Sequence, residues 1–278
     1  MPKVLSEEQI KHYRENGYLG QMDGIAPTEA RAMLADLTAF TETHGISAGQ
    51  LQMKGHLCFR RSYELTFNDR ILDVVEDLIG PNLMAFASRF WIKGARDKSF
   101  VSWHQDSAYF GLEPHELVTV WLAITDATPE MGCMKVIPGS HRGKSYTHEE
   151  TFAENNLLAR GQVIHGVRND DAVYLPLKQG QFSCHHERIL HASDPNETEV
   201  DRIGLAVFFI PTHVKSTIGR RTAYLVRGVD DFGHWDKDPV PQSRVDTGVI
   251  EHVRAAGERY IDPKYRQEAD LSEKGKLD

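Results

Sequence analysis

His104 and Asp106 stand two residues apart in the run Trp103-His-Gln-Asp106. On a strand, side chains alternate, so this spacing sets an imidazole and a carboxylate on one face. Side by side, they supply two thirds of the two-His-one-carboxylate face that holds iron in non-heme Fe(II) oxygenases and leaves other positions open. The pair alone is a weak signal, because a solvated surface pair has the same spacing. The third ligand must come from further along. His185, His186 and His191 all qualify by type in His185-His-Glu-Arg-Ile-Leu-His191-Ala-Ser193. His191 is assigned as the ligand: it follows the apolar Ile189-Leu190, where a strand emerges, and has Ser193 and Arg202 downstream. His186 lies an odd number of positions from His191 and faces the other side of a regular strand, as a supporting or core histidine. The roles of His185 and His186 stay open at this stage.

Arg202 opens the apolar run Ile203–Ile210 and so belongs to a core strand. A buried guanidinium needs an anionic partner. A dicarboxylate cosubstrate supplies one through the bidentate geometry that guanidinium and carboxylate share. The plainer alternative is an ion pair with Glu187 or Asp201.

The elements that position these residues read as helices followed by strands. Ser6 caps a first helix that ends at Gly17, Pro27–Thr43 carries a second apolar stripe, and Asn68 caps a third that ends at Gly80-Pro81. Short apolar or alternating runs follow: Leu83–Ile92, Leu117–Ile124, Cys133–Ile137, Ala172–Leu175, Gln181–His185 and Ile203–Ile210. This is the texture of a β-sandwich or barrel. Thr147–Leu158 reads as a polar helix or loop, and Val249–Tyr260 as a surface helix. No linker divides the chain, so 1–278 is expected to be one mainly β domain with flanking helices. Its helices cover about 1–80, its β core about 81–212, and a C-terminal lid or wrap about 213–278.

Composition narrows the partner. The net charge of −8, with no long Lys/Arg block, points to a small-molecule substrate and away from nucleic acid or a membrane surface. Three cysteines without a CxxC pair read as buried thiols in a reducing compartment, and the expected location is the cytoplasm. Nothing in the sequence sets the oligomeric state.

Taken together, several segments resemble the phytanoyl-CoA dioxygenase family of Fe(II)/2-oxoglutarate oxygenases. They are Leu5-Ser-Glu-Glu-Gln-Ile-Lys-His-Tyr-Arg-Glu-Asn-Gly-Tyr-Leu19, Trp103-His-Gln-Asp-Ser-Ala-Tyr-Phe110, Val120-Trp-Leu-Ala-Ile-Thr-Asp126, Gly132-Cys-Met-Lys-Val-Ile-Pro-Gly-Ser-His141, and His191-Ala-Ser193 with Arg202. The resemblance implies a double-stranded β-helix, or jelly roll. It implies Fe(2+) on His104, Asp106 and His191, with 2-oxoglutarate and O2 as cosubstrates. It places Arg202 and Ser193 on the distal carboxylate of 2-oxoglutarate and Trp121 beside that molecule. Gln105 matches a family glutamine next to the iron motif, although strand alternation points it away from the metal face.

The implied activity is a dioxygenase that hydroxylates a small polar organic substrate and converts 2-oxoglutarate to succinate. Amino acids, phosphonates and natural-product intermediates are the candidate substrates; an anionic one is expected in preference to a long acyl-CoA. A carboxylate at 106 disfavours halogenation, in which a small residue makes room for chloride. The competing readings are a cupin-like metal oxygenase that does not use 2-oxoglutarate and a catalytically silent jelly-roll binding module. Ser88–Lys93 and Thr212–Trp235 are candidates to line the substrate pocket. Thr217–Pro241 is expected to cover the mouth of the barrel.

Overall fold

A computed structural model describes residues 2–143, 146–159 and 161–261. The part of the expected C-terminal wrap beyond 261 lies outside the described residues. Two β-sheets face each other, with helices covering the outside of the larger one.

The larger sheet contains β1 (Tyr18–Asp23), β2 (Leu83–Lys93), β4 (Val118–Ala123), β7 (Gln181–His186), β9 (Arg202–Pro211), β10 (Thr222–Arg227) and β11 (Asp236–Lys237). Its spatial order is β1-β7-β4-β9-β2-β10-β11. The smaller sheet contains β3 (Val101–His104), β5 (Met134–Val136), β6 (Val173–Tyr174) and β8 (His191–Ser193), in the order β3-β8-β5-β6. The strand order is far from sequential, and long crossovers carry the chain between the sheets, as in a jelly roll. The larger sheet recruits β1 from before residue 81 and β10 from after residue 212, so it extends past the expected 81–212 core at both ends.

Alternation explains the apolar runs. On β9, Ile203, Leu205, Val207 and Phe209 point outward into a core with Phe90, Val120, Phe182 and the helices. There they meet α2 (Pro27–His44), α3 (Arg60–Leu65) and α4 (Asp69–Ile79), through Phe40, Leu65, Ile71 and Val75. The opposite face of β9 carries Arg202, Gly204, Ala206 and Phe208. Both faces are covered, so the run looks continuously apolar in sequence. Burying side chains of this size contributes roughly 1.5–3 kcal/mol each. The helix signals hold: α1 (Glu7–Asn16) has a Ser6–Gln9 capping box and ends on Gly17 at φ 83°.

Of the helix or loop offered for Thr147–Leu158, the loop is found, carrying only the two-residue strand Glu149–Glu150. One expectation needs correction. The 250s helix, α6 (Ile250–Ile261), is not merely a surface element, because Val253 is buried and Ala256 packs on the inner core. Cys58, Cys133 and Cys184 are buried free thiols. No helix among the described residues is long and apolar enough to cross a membrane.

Candidate metal and cosubstrate site

β3 ends at His104, so the expected strand geometry does not extend to Asp106. Asp106 adopts helical φ and ψ, −62° and −33°, at the start of the four-residue helix α5 (Ser107–Phe110). A turn, not strand alternation, brings its carboxylate back beside His104. His191 reaches the same point by register, lying directly opposite His104 in the antiparallel β3–β8 pair. The two imidazole centroids are 4.0 Å apart.

His104, Asp106 and His191 are all buried, and one possible ligand atom of each lies within 4.8 Å of the others. Asp106 Oδ1 is 3.6 Å from His104 Nε2 and 3.8 Å from His191 Nε2. These separations exceed a hydrogen bond and suit donors converging on one ion.

The hydrogen bonds orient all three groups for a metal. His104 Nδ1 bonds the Ser102 carbonyl at 2.9 Å, and His191 Nδ1 bonds the Ile189 carbonyl at 3.1 Å. A carbonyl can only accept, so each Nδ1 carries a proton, and in the neutral tautomer each ring turns an Nε2 lone pair toward Asp106. Thr119 Oγ1 donates to Asp106 Oδ2 at 3.1 Å, which leaves Oδ1 toward the histidines. Burial works against ionisation of Asp106, but His191, His104 and His185 together hold its carboxyl well below the usual range. Burial, helped by His104, keeps His191 well below its ordinary pKa, which favours the neutral ligand form. The donor set therefore fits a divalent metal with an open side.

From this triad one cavity runs past Trp121 and Ser193 to Arg202. Arg202 is buried and sits opposite Lys93 in the β9–β2 register. Its Nη1 donates to the Trp91 carbonyl at 3.3 Å, while its Nε is buried with no hydrogen-bond partner among the described residues. Burial lowers its pKa to about 10. Lys93 donates from Nζ to Ser193 Oγ at 2.7 Å and to the Asp194 carbonyl. Burial and the adjacent Arg202 push Lys93 down to about 6. The Glu187 or Asp201 ion pair weighed for Arg202 does not form. Two nitrogen donors and one hydroxyl thus meet at the end of the cavity, where they suit a carboxylate.

Trp121 forms one wall, with the Arg202 guanidinium 5.5 Å from its ring centroid. Its indole lies over Gly204, where a Cβ would come within 2.1 Å of Cζ2. Only glycine leaves space for that ring.

Gln105 departs from the cofactor-binding expectation. Its amide nitrogen donates to the Arg188 carbonyl at 2.6 Å, and its amide oxygen accepts from Tyr146 N at 3.1 Å. Both ends fasten loops, as alternation from His104 foreshadows. His186 packs against Tyr13 and His141, away from the triad.

Three neighbours have no role assigned from sequence. His185 Nε2 is 3.7 Å from Asp106 Oδ2, Thr119 orients Asp106, and Lys93 joins Ser193. His185 and Thr119 are register partners on β7 and β4, so their closeness to Asp106 depends on long-range pairing that no local spacing encodes.

A second cavity of about 280 Å³ adjoins the first across Tyr109, whose ring is 5.9 Å from that of His104. Lys54, Phe86, Arg221, Ala256 and Tyr260 also line it. The expected cover segment 217–241 gives Ile218, Arg220, Arg221, Thr222 and Asp236 to this wall, but β10 within it is a paired strand of the large sheet.

Comparison with known proteins agrees with this architecture. The family model described as phytanoyl-CoA dioxygenase matches residues 1–204. A probable phytanoyl-CoA dioxygenase of Caenorhabditis elegans is 30% identical over 228 residues, covering 70% of this chain and 72% of that protein. A probable alpha-ketoglutarate-dependent hypophosphite dioxygenase of Stutzerimonas stutzeri is 28% identical over 149 residues. That match covers 53% of this chain and about half, 52%, of the relative. The apo structure of the non-heme monooxygenase ThoJ superposes with a TM-score of 0.80 at 29% identity, covering 95% of this chain and 99% of that one.

Proposed function

This chain belongs to the phytanoyl-CoA dioxygenase family, and from that premise we propose that it hydroxylates a small polar organic molecule. The enzyme class is the 2-oxoglutarate-dependent non-heme iron oxygenase, with Fe(II), 2-oxoglutarate and O2 as its cofactors. One observation carries the assignment of residues: two Nε2 lone pairs and Asp106 Oδ1 converge in a buried cavity whose other end holds Arg202.

In this reading His104, Asp106 and His191 hold the iron. Arg202 receives the distal carboxylate of 2-oxoglutarate, with Ser193 and Lys93 beside it and Trp121 along its flank. Bound iron, with 2-oxoglutarate and O2, supplies the oxidant for C–H hydroxylation, and the cosubstrate leaves as succinate and CO2. The protein's own part is geometric. The two backbone carbonyls fix the histidine tautomers, Thr119 fixes the carboxylate, and Trp121 and Phe208 keep the cavity apolar. Low polarity strengthens the Arg202 contact and excludes water from the reacting face.

The same observations weigh against the alternatives. An oxygenase working without 2-oxoglutarate has no use for a buried guanidinium at the far end of the metal cavity. A silent binding module has no need of three oriented ligand atoms. Asp106 fills the place a halogenase would clear. The substrate itself is proposed only by class. Iron-dependent release of succinate from 2-oxoglutarate tests the assignment.

A further inference from the structure

Arg89 is a buried cation that the metal and cosubstrate sites leave unused. It lies on β2 two residues before Trp91 and four before Lys93, so the three side chains leave the strand on its inner face. Its register partner on β9 is Ala206, which lines the metal cavity. Only 7% of Arg89 is exposed. Nη2 donates to the Leu157 carbonyl at 2.6 Å, Nε is buried with no hydrogen-bond partner, and no carboxylate among the described residues pairs with it. The Trp91 ring lies 4.1 Å from the guanidinium carbon, centroid to atom, and holds the group in place.

The surroundings show which way this charge faces. Burial lowers the Arg89 pKa, while Tyr260, Tyr109 and Asp106 act in the opposite sense. Arg89 itself lines a groove with Trp91, Asp97 and Leu157, and Trp91 is shared between that groove and the metal cavity. Arg221, a partly buried arginine that lines the second cavity, is already committed. Its Nη2 donates to the Phe110 carbonyl and its Nε to Ser216 Oγ.

Charge balance leads to the same point. Asp106 is neutralised by a divalent ion, and Arg202 by the distal carboxylate of 2-oxoglutarate. Arg89 is then a buried inner-face cation without an anion, and a buried charge persists only when paired. A purely structural arginine tying the Leu157 loop to the barrel would explain Nη2 but not the unpartnered Nε.

We propose that Arg89 binds an anionic oxo group of the substrate — a carboxylate, phosphonate or sulfonate — and so determines the substrate class of this site. The inference rests on the functional reading above. The anion sits in the groove that Arg89 and Trp91 line beside the metal cavity, and the rest of the substrate extends past Trp91 toward the iron.

The test uses the full chain loaded with Fe(II) and 2-oxoglutarate under nitrogen, titrated with acetate, methylphosphonate and methanesulfonate. Dimethyl methylphosphonate serves as the neutral control. At least one anion should bind the wild type while the neutral ester does not. Arg89→Gln and Arg89→Met should weaken that binding by about thirtyfold or more, as for loss of one partner from a buried charge pair. Affinity for 2-oxoglutarate, titrated separately, should change much less than affinity for the anion, since Arg202 and not Arg89 receives its distal carboxylate. Failure of all three anions to bind, or equal binding of the neutral ester, overturns the proposal whether or not the variants fold. Unchanged anion affinity in a folded variant also overturns it and leaves Arg89 as a loop tether. The same preparation, given O2, is assayed for iron-dependent succinate. Turnover without an Arg89-dependent anion site sinks this proposal alone, whereas no turnover sinks the functional reading beneath it.

Discussion

His104 and His191 face each other across the β3–β8 pair, and each bonds through Nδ1 to the carbonyl two residues before it. The same local device thus appears on both strands. It sends both Nε2 atoms to Asp106 Oδ1. Substituting either ligand should do more than the 10–100-fold harm that follows from losing a supporting hydrogen bond. His104→Ala and His191→Ala should each reduce iron affinity by on the order of 100-fold or more. Metal titration followed by elemental analysis reads this directly. Iron retention near wild-type affinity in either variant would show that the triad is not the metal site.

Arg202→Ala should separate cosubstrate from metal. Removing the guanidinium should cost about 2–5 kcal/mol of 2-oxoglutarate binding, the range for truncating one side of a buried charge pair. Iron affinity should change little, because Arg202 reaches none of the triad. Calorimetric titration with each ligand in turn makes the comparison. Wild-type affinity for 2-oxoglutarate would give Arg202 another task.

Gly204→Ala should act through a residue on the next strand. A methyl group there would meet Trp121 Cζ2 at 2.1 Å, so the indole must leave its place beside Arg202. Overpacking of this kind costs about 1–3 kcal/mol. We expect weaker 2-oxoglutarate binding and altered tryptophan fluorescence. Adding Trp121→Phe should recover part of the stability, a non-additive result that independent sites would not give. Simple additivity would mean that the ring and the glycine are not coupled.

Acid sensitivity should come from two histidines outside the site. Burial, aided by Lys54, lowers His56 to about 3; burial, aided by His141, lowers His186 to about 3. The unfolded chain takes up a proton on each near pH 6.5, while the folded chain refuses it until about pH 3. Stability is therefore lost as pH falls from the unfolded value toward the folded one. Between pH 7 and pH 5 each should remove about 2 kcal/mol. Denaturant unfolding at the two pH values measures the loss, and His186→Phe should remove about half of it. Equal stability at both pH values would contradict the account.

Legibility in the sequence followed the range of the interaction. The helices were readable because their caps and stops are local: Ser6 with Gln9, Asn68, Gly17. The runs of β2, β4 and β9 were readable because both faces are buried. His104, Asp106, His191 and Arg202 could be assembled because their spacing and flanking residues carry a chemical pattern. Strand alternation does not account for Asp106, which a turn positions beside His104. Lys93 and Arg89 lay inside a stretch marked only as pocket lining, because their roles depend on facing Arg202 and Ala206 across β9. Likewise His185 and Thr119 meet Asp106 through the β7–β4 register. Such neighbours are set by tertiary pairing, which leaves no trace in local spacing.

The central claim is that three residues hold iron for 2-oxoglutarate-dependent chemistry, and succinate formation tests it most directly. The purified chain should convert 2-oxoglutarate to succinate only when Fe(II) and O2 are both supplied, faster once a substrate is present. Asp106→Ala, which removes the one carboxylate of the triad, should lower the rate by on the order of 100-fold or more if the metal is lost. Succinate formed at the wild-type rate by Asp106→Ala, or formed by the wild type without iron, would contradict the account.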